Sequence, residues 1–384
     1  MRRRQTCVAV VAAFSLATAF ETPAFAGVVN PNISVIGQPF LRWTDDAGDP
    51  ARRRVTLDPG ETEFFFDDYL NPYARGTFTL ALGEEGIELE EGFFTMHRGL
   101  PAGLAIKGGK YRVGFGRLNP VHPHAYPFAE RFGVLAAYLP GEESLNETGV
   151  QVSKVLALPG DVALTASADW LQGDSYRIER ESGGAANDPL DADPENGDLQ
   201  GEKRPAGLGR LAAFFPIQER SGLELGVSGT QGTNNIAAGS RTTVWGADAK
   251  AKVWRGASAY AVIQAEVLVL DREEAAWDET AAAYTTMHVK PAGGYAFADW
   301  NWNRRYNAGA SFERFQQPTA DKTWDQAIGV FAGLALLEET TLFRISWNQV
   351  RPGRPPGATE DPDAVNTVML SVVYSMGPHK AHQF

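Results

Sequence analysis

The chain has six histidines, and four of them fall into two close pairs, His122-Pro123-His124 and His379-x-x-His382. Neutral imidazole is a zinc ligand, and both spacings allow two rings to face one ion. Two more ligands would complete a tetrahedral site around either pair; His122 and His124 could share an ion with His379 and His382 only if segment 117–149 folds into the lumen. The alternative is that they are solvated polar residues in a loop and a tail. Zinc is the one cofactor that the residue types point to.

Other chemistry is hard to assemble. The sequence has no Gly-x-Ser-x-Gly elbow and no phosphate-binding P-loop. Asp67 and Asp68 are adjacent, and adjacent positions on a strand face opposite ways, so they do not form a working carboxylate pair. His288 is the one histidine that falls inside a predicted strand, and no nucleophile stands near it to build a triad. The residues do not read as those of an enzyme.

Charged residues recur at alternate positions instead. Arg75, Glu88, Glu90, Lys110, Arg112, Asp169, Glu224, Asp248, Lys250, Lys252, Glu266, Glu313 and Arg344 each occupy the polar face of an alternating segment. In a barrel with a watery lumen such residues line the pore and tune its selectivity. The alternative role is ion pairing across the lumen that stiffens the wall. Their signs are mixed, so no strong preference for anions or cations is expected.

The elements that must carry these side chains follow from the period. Segments of about ten residues alternate strictly and are broken by turn residues, as in membrane-spanning strands. In 73–82, Ala74, Gly76, Phe78, Leu80 and Leu82 oppose Tyr73, Arg75, Thr77 and Thr79. In 245–253, Trp245, Ala247, Ala249, Ala251 and Val253 oppose Asp248, Lys250 and Lys252. A soluble sandwich also alternates. Two features favour the barrel. Aromatic residues such as Tyr69, Tyr111, Trp170, Trp254, Trp302, Tyr306 and Tyr374 cluster at strand ends, as in interfacial belts. Linkers also alternate between short (158–161, 216–222, 255–256, 338–340) and long (117–149, 173–205, 232–240, 272–284, 317–325, 351–364), as barrel topology requires.

The expected fold is therefore all-β, a transmembrane antiparallel up-and-down barrel. It has about 14 strands between residues 73 and 384, within a range of roughly 12 to 16. Residues 27–72 form an N-terminal segment, periplasmic or lumenal, unless 33–43 and 64–70 add a further pair. The tight turn 83–86 is the weak point, because it falls on the side where loops should be long. Segment 117–149 has two readings, an external lid or a loop folded into the pore, and 127–139 would suit a short amphipathic helix.

The compartment follows from the first residues. Arg2, Arg3 and Arg4, the apolar run 7–20, and Ala24-Phe25-Ala26 form a secretory signal peptide with cleavage before Gly27. Its loss removes a net two positive charges from a chain of net charge −12, leaving −14, and also removes the only cysteine, Cys7. Disulfides and thiol chemistry are thereby excluded. Net acidity argues against nucleic acid as a partner. The expected surroundings are outer-membrane lipid and small solutes. No residue marks an oligomer interface.

With these residues in view, the chain resembles a proteobacterial family of outer-membrane barrels, some labelled zinc-regulated or TonB-dependent outer-membrane receptors. The resemblance is carried by 30–36 (NPNISVI), by 110–119 followed by His122-x-His124, and by the tail Met376-Gly377, His379, His382 and Phe384. It implies a barrel in the cell outer membrane, and a terminal Phe384 suited to the barrel-assembly machinery. TonB-dependent receptors pair a plug domain with a 22-stranded barrel, and this chain is too short for that. The leading expectation is a passive channel for small hydrophilic solutes, with a metal-linked variant. A non-conducting receptor or structural barrel plugged by 27–72 is the alternative. An outer-membrane enzyme comes last.

Overall fold

The computed structural model describes residues 31–178 and 204–377, apart from 85, 142–143, 237, 279, 282 and 337–339. The leader, the loop interior at 179–203, and His379, His382 and Phe384 lie outside the described residues. The strands are β1 (Asn32–Gly37), β2 (Phe40–Thr44), β3 (Val55–Asp58), β4 (Thr62–Asn71), β5 (Ala74–Gly83), β6 (Gly86–Met96) and β7 (Leu104–Arg112). After the short helix α1 (Gly133–Tyr138) come β8 (Asn146–Leu158), β9 (Val162–Leu171), β10 (Ala206–Gln218), β11 (Ser221–Asn235), β12 (Ser240–Arg255) and β13 (Ala259–Asp278). The last six are β14 (Ala283–Val289), β15 (Ala292–Trp302), β16 (Tyr306–Gln316), β17 (Trp324–Ala335), β18 (Thr341–Arg351) and β19 (Val365–Met376).

Each ring strand pairs antiparallel with its neighbours, and β1 joins β4 to β19, so the sheet closes on itself. Sixteen strands form the ring, and β2, β3 and β14 lie outside it. Closure leaves no sheet edge, which a strand structure needs in lipid. No helix among the described residues is long and apolar enough to cross a membrane; the strands are the candidates to do so.

Sixteen is the upper end of the expected range, and the two strands beyond 14 are β1 and β4, within or beside the segments 33–43 and 64–70 that read as a candidate further pair. Ile36 pairs with Glu63 across β1 and β4, and with Ser375 of β19. Two stretches of the segment expected to be periplasmic or lumenal, β1 and β4, are therefore wall, and the barrel begins before residue 73. Two irregularities hide it. Pro39 cannot donate to a ladder, and it ends β1 after six residues. In β4 the run Phe64-Phe65-Phe66 masks the alternation.

Alternation elsewhere has a plain physical outcome. Phe78, Trp170, Trp245, Ile263, Val267 and Ile345 are exposed on the outer face, where lipid would cover them. Asp169, Asp248, Glu266 and Arg344 are buried on the inner face. Tyr111 departs from the expected interfacial belt. It is fully buried, and its hydroxyl donates to Asp169 at 2.8 Å. Tyr111 of β7 thus points into the barrel.

The apolar core is inside the barrel. Residues 113–145, between β7 and β8, fold into the lumen; β7 ends and β8 begins about four residues earlier than the alternation implies. Phe115, Leu118, Phe128, Phe132, Leu135 and Tyr138 pack against Leu208, Val244, Leu268, Tyr295, Phe315 and Phe331 of the wall. The external-lid reading is thereby excluded. The helix is confined to Gly133–Tyr138 and is shorter than the amphipathic stretch 127–139.

Candidate functional site

The inserted loop is held by polar contacts from several sides. The backbone N–H groups of Arg117 and Leu118 donate to Glu266 at 2.8 and 2.9 Å, and Tyr295 donates its hydroxyl to the same carboxylate at 2.6 Å. The N–H of Val134 donates to Glu313 at 3.1 Å. Arg344 donates to the carbonyl of Tyr126, and Asn348 donates to Glu130 at 3.0 Å. Arg117 pairs with Glu224 at 2.5 Å. Buried wall charges thus find partners in the loop, as burial requires.

Two cavities remain on either side of this loop. One, of about 510 Å³, opens among the short turns and is lined by Trp254, Tyr260, Arg304 and Tyr306. The other, of about 1010 Å³, lies at the long-loop end beside the β5–β6 turn. Ile36 and His124 line both. These two side chains therefore lie between the two vestibules.

Charge is sorted between them. The long-loop vestibule is lined by Asp58, Glu61, Glu63, Glu84, Glu88 and Glu90, against Lys110 and Arg112. The short-turn vestibule is lined by Arg117, Lys250, Lys252, Arg304 and Arg305, against Asp299. Signs that look mixed along the sequence are separated in space.

The expected lumenal charges can be placed individually. Glu88 meets Lys110 at 3.2 Å, and Arg112 pairs with Glu90 at 2.5 Å. Arg75 pairs with Asp67 of β4. Asp169 holds Tyr111 and, at 3.0 Å, Gln151. Asp248 pairs with Arg210 at 2.5 Å. Lys250 and Lys252 line the short-turn vestibule, while Glu266 and Arg344 anchor the loop.

Between the vestibules, His122 and His124 come together with a residue that spacing could not supply. Glu63 of β4 lies 3.0 Å from His124 Nδ1 through Oε1 and 3.3 Å from His122 Nδ1 through Oε2. The two rings stack with centroids 5.6 Å apart. Glu91 Oε2 lies 3.0 Å from His122 Nε2, and Glu90 Oε2 lies 3.4 Å from His122 Nδ1. Strict alternation would send Glu90 and Glu91 to opposite faces. A register shift between Thr79 and Leu80 places a bulge at Glu90, and both carboxylates reach the same imidazole. A bulge re-aims side chains in this way. Burial opposes a charge on His122, yet its hydrogen bonds to Glu63, Glu90 and Glu91 outweigh burial and hold its protonation well above the ordinary imidazole range. His379 and His382 lie outside the described residues, so the ligand set brought together is Glu63, His122 and His124.

No family model matches the chain. An uncharacterised protein of Aquifex aeolicus (strain VF5) is 30% identical over 260 residues, covering 65% of this chain and 52% of that protein. The chain thus spans about half the length of the curated relative it matches. Among solved structures, the anion-selective porin of Comamonas acidovorans is similar with a TM-score of 0.57 at 10% identity, covering 90% of this chain and 99% of the porin. A loop-deleted OmpT, an outer membrane protein of Vibrio cholerae, gives 0.56 at 10% identity over 90% of this chain and 99% of its own. The outer membrane channel DcaP of Acinetobacter baumannii gives 0.55 at 10% identity, covering 90% and 97%. At this identity the likeness is one of fold. The chain has the closed antiparallel barrel of outer-membrane porins.

Proposed function

We propose that this protein is a passive channel for small hydrophilic solutes in the cell outer membrane. One observation carries the reading: a loop folded inside a closed barrel leaves a vestibule on either side, with Ile36 and His124 lining both. The apolar outer face suits lipid, and the loop narrows the lumen and selects what passes, as pore-lining charges do. The similar solved structures include an anion-selective porin and an outer membrane channel, which supports the reading without identifying a solute. No catalytic role belongs to it. Energy-coupled uptake of the TonB-dependent kind gains no support, because β1 and β4 are wall strands and do not form a plug.

The experiment is conductance of the refolded protein in a planar bilayer. Stepwise openings are expected. Folded protein that never opens would overturn the proposal and leave a barrel closed by residues 113–145.

A further inference from the structure

We infer that Glu63, His122 and His124 bind one borderline divalent cation of the zinc type between the two vestibules, where the ion throttles flow. The effect on flow rests on the channel reading; the binding does not.

The donor set is right for such an ion. Two imidazoles and a carboxylate suit zinc and its neighbours and are poor for calcium or magnesium. The three donor atoms lie within 4.8 Å of one another. The Glu63 carboxylate faces both rings, with Oε1 3.0 Å from His124 Nδ1 and Oε2 3.3 Å from His122 Nδ1, near the spacing of neighbouring zinc ligands. Bonds of about 2.0–2.1 Å place neighbouring ligands roughly 3.3 Å apart. The Glu90 carboxylate, 3.4 Å from His122 Nδ1, is within reach as a fourth ligand.

The surrounding shell is also built for a metal. A ligating histidine usually gives its other ring N–H to a carboxylate, which fixes the ring. With His122 Nδ1 turned to the ion, Nε2 is left to donate to Glu91 at 3.0 Å. Glu91 is itself held by the backbone N–H of Arg112 at 2.8 Å. Glu63, Glu90 and Glu91 bring three carboxylates to one small, largely buried space, against Arg112 and Lys107. Once His122 gives up its proton, as ligation requires, these carboxylates outnumber the two cations and favour a bound metal ion.

Position gives the consequence. His124 lines both vestibules, so an ion on it would lie between them. The acidic long-loop vestibule would concentrate cations ahead of the site.

The test uses the full-length protein folded in detergent and titrated with Zn²⁺ by calorimetry, then with Co²⁺ by visible absorption. One ion per chain is expected, with a Co²⁺ spectrum of four or five ligands including nitrogen. His124→Ala should weaken binding on the order of 100-fold, and Glu91→Gln, which touches only the orienting partner, about 10-fold. His124→Cys, which restores a soft ligand, should recover much of it. Each variant is first checked for the folded band on unheated gels. No binding by wild type, or equal binding by wild type and His124→Ala, would overturn the site. In bilayers, Zn²⁺ should lower the current of wild type and leave His124→Ala unchanged. Binding with open channels that ignore Zn²⁺ would overturn the throttle. Binding by a barrel that never conducts would leave the metal site intact and remove the channel reading.

Discussion

Phe132 of the inserted loop lies flat on Tyr295 of β15, with ring centroids 4.0 Å apart and 14° between the planes. The same tyrosine donates to Glu266, which receives two backbone N–H groups of the loop. One wall residue therefore joins the apolar and the polar anchors of the constriction. Phe132→Ala removes the apolar one. Deleting a buried phenylalanine costs about 3–5 kcal/mol. The wall ladders do not depend on this ring, so the cost falls on the seating of the loop. The barrel should still migrate as folded on unheated gels, while bilayer recordings show larger and noisier openings. Unchanged conductance would show that 113–145 is held without this contact.

Glu266 tests the polar anchor. Glu266→Ala leaves two buried N–H groups without their acceptor, at a cost of about 1–3 kcal/mol each. Gly116 offers an independent route to the same disturbance. Its φ is +59°, and a Cβ there would stand 2.2 Å from the Glu266 carboxylate. Gly116→Ala should therefore reproduce the Glu266→Ala conductance. If the two differ in direction, the carboxylate is not what holds this turn.

Tyr111→Phe isolates a single wall contact. The hydroxyl donates to Asp169, which keeps Gln151 as a partner after the change. A hydrogen bond to a charged group contributes about 1.5–3 kcal/mol. The midpoint of urea unfolding in detergent should fall accordingly, with conductance little altered. A midpoint equal to that of wild type would mean that water replaces the hydroxyl.

The limits of sequence reading follow from the same residues. β12 and the first part of β13 were legible, because Trp245 and Ile263 alternate with Asp248 and Glu266, while the end of β13 falls in 272–284, which reads as a linker. β1 was legible only as half of an optional pair in 33–43 and 64–70, since Pro39 cuts it short and it closes the ring on β19 at the far end of the chain. Glu91 was missed because a bulge, which alternation cannot register, turns it inward. His122 and His124 were legible as a pair, but Glu63 stands 61 positions from His124, and only closure of the barrel brings them together. The apolar content of 127–139 signalled burial; whether it was buried in the lumen or beneath a lid was a tertiary matter.

The separation of charge predicts a directional current. Lys250 and Lys252 line the short-turn vestibule with Arg117, Arg304 and Arg305, while acidic residues dominate the opposite one. A pore with a basic mouth and an acidic mouth passes more ion current in one direction than in the other, because each mouth concentrates ions of opposite sign. Exposed charges lose influence once the screening length falls from about 10 Å at 0.1 M salt to about 3 Å at 1 M. Wild type should therefore rectify at 0.1 M and approach a symmetric response at 1 M. Lys250→Gln with Lys252→Gln removes two of the five cations that line this mouth without touching the loop anchors. It should reduce rectification by roughly half at low salt and shift reversal potentials toward cations. Rectification that survives both the double substitution and 1 M salt would place its cause at His124, between the vestibules, and not in the mouths.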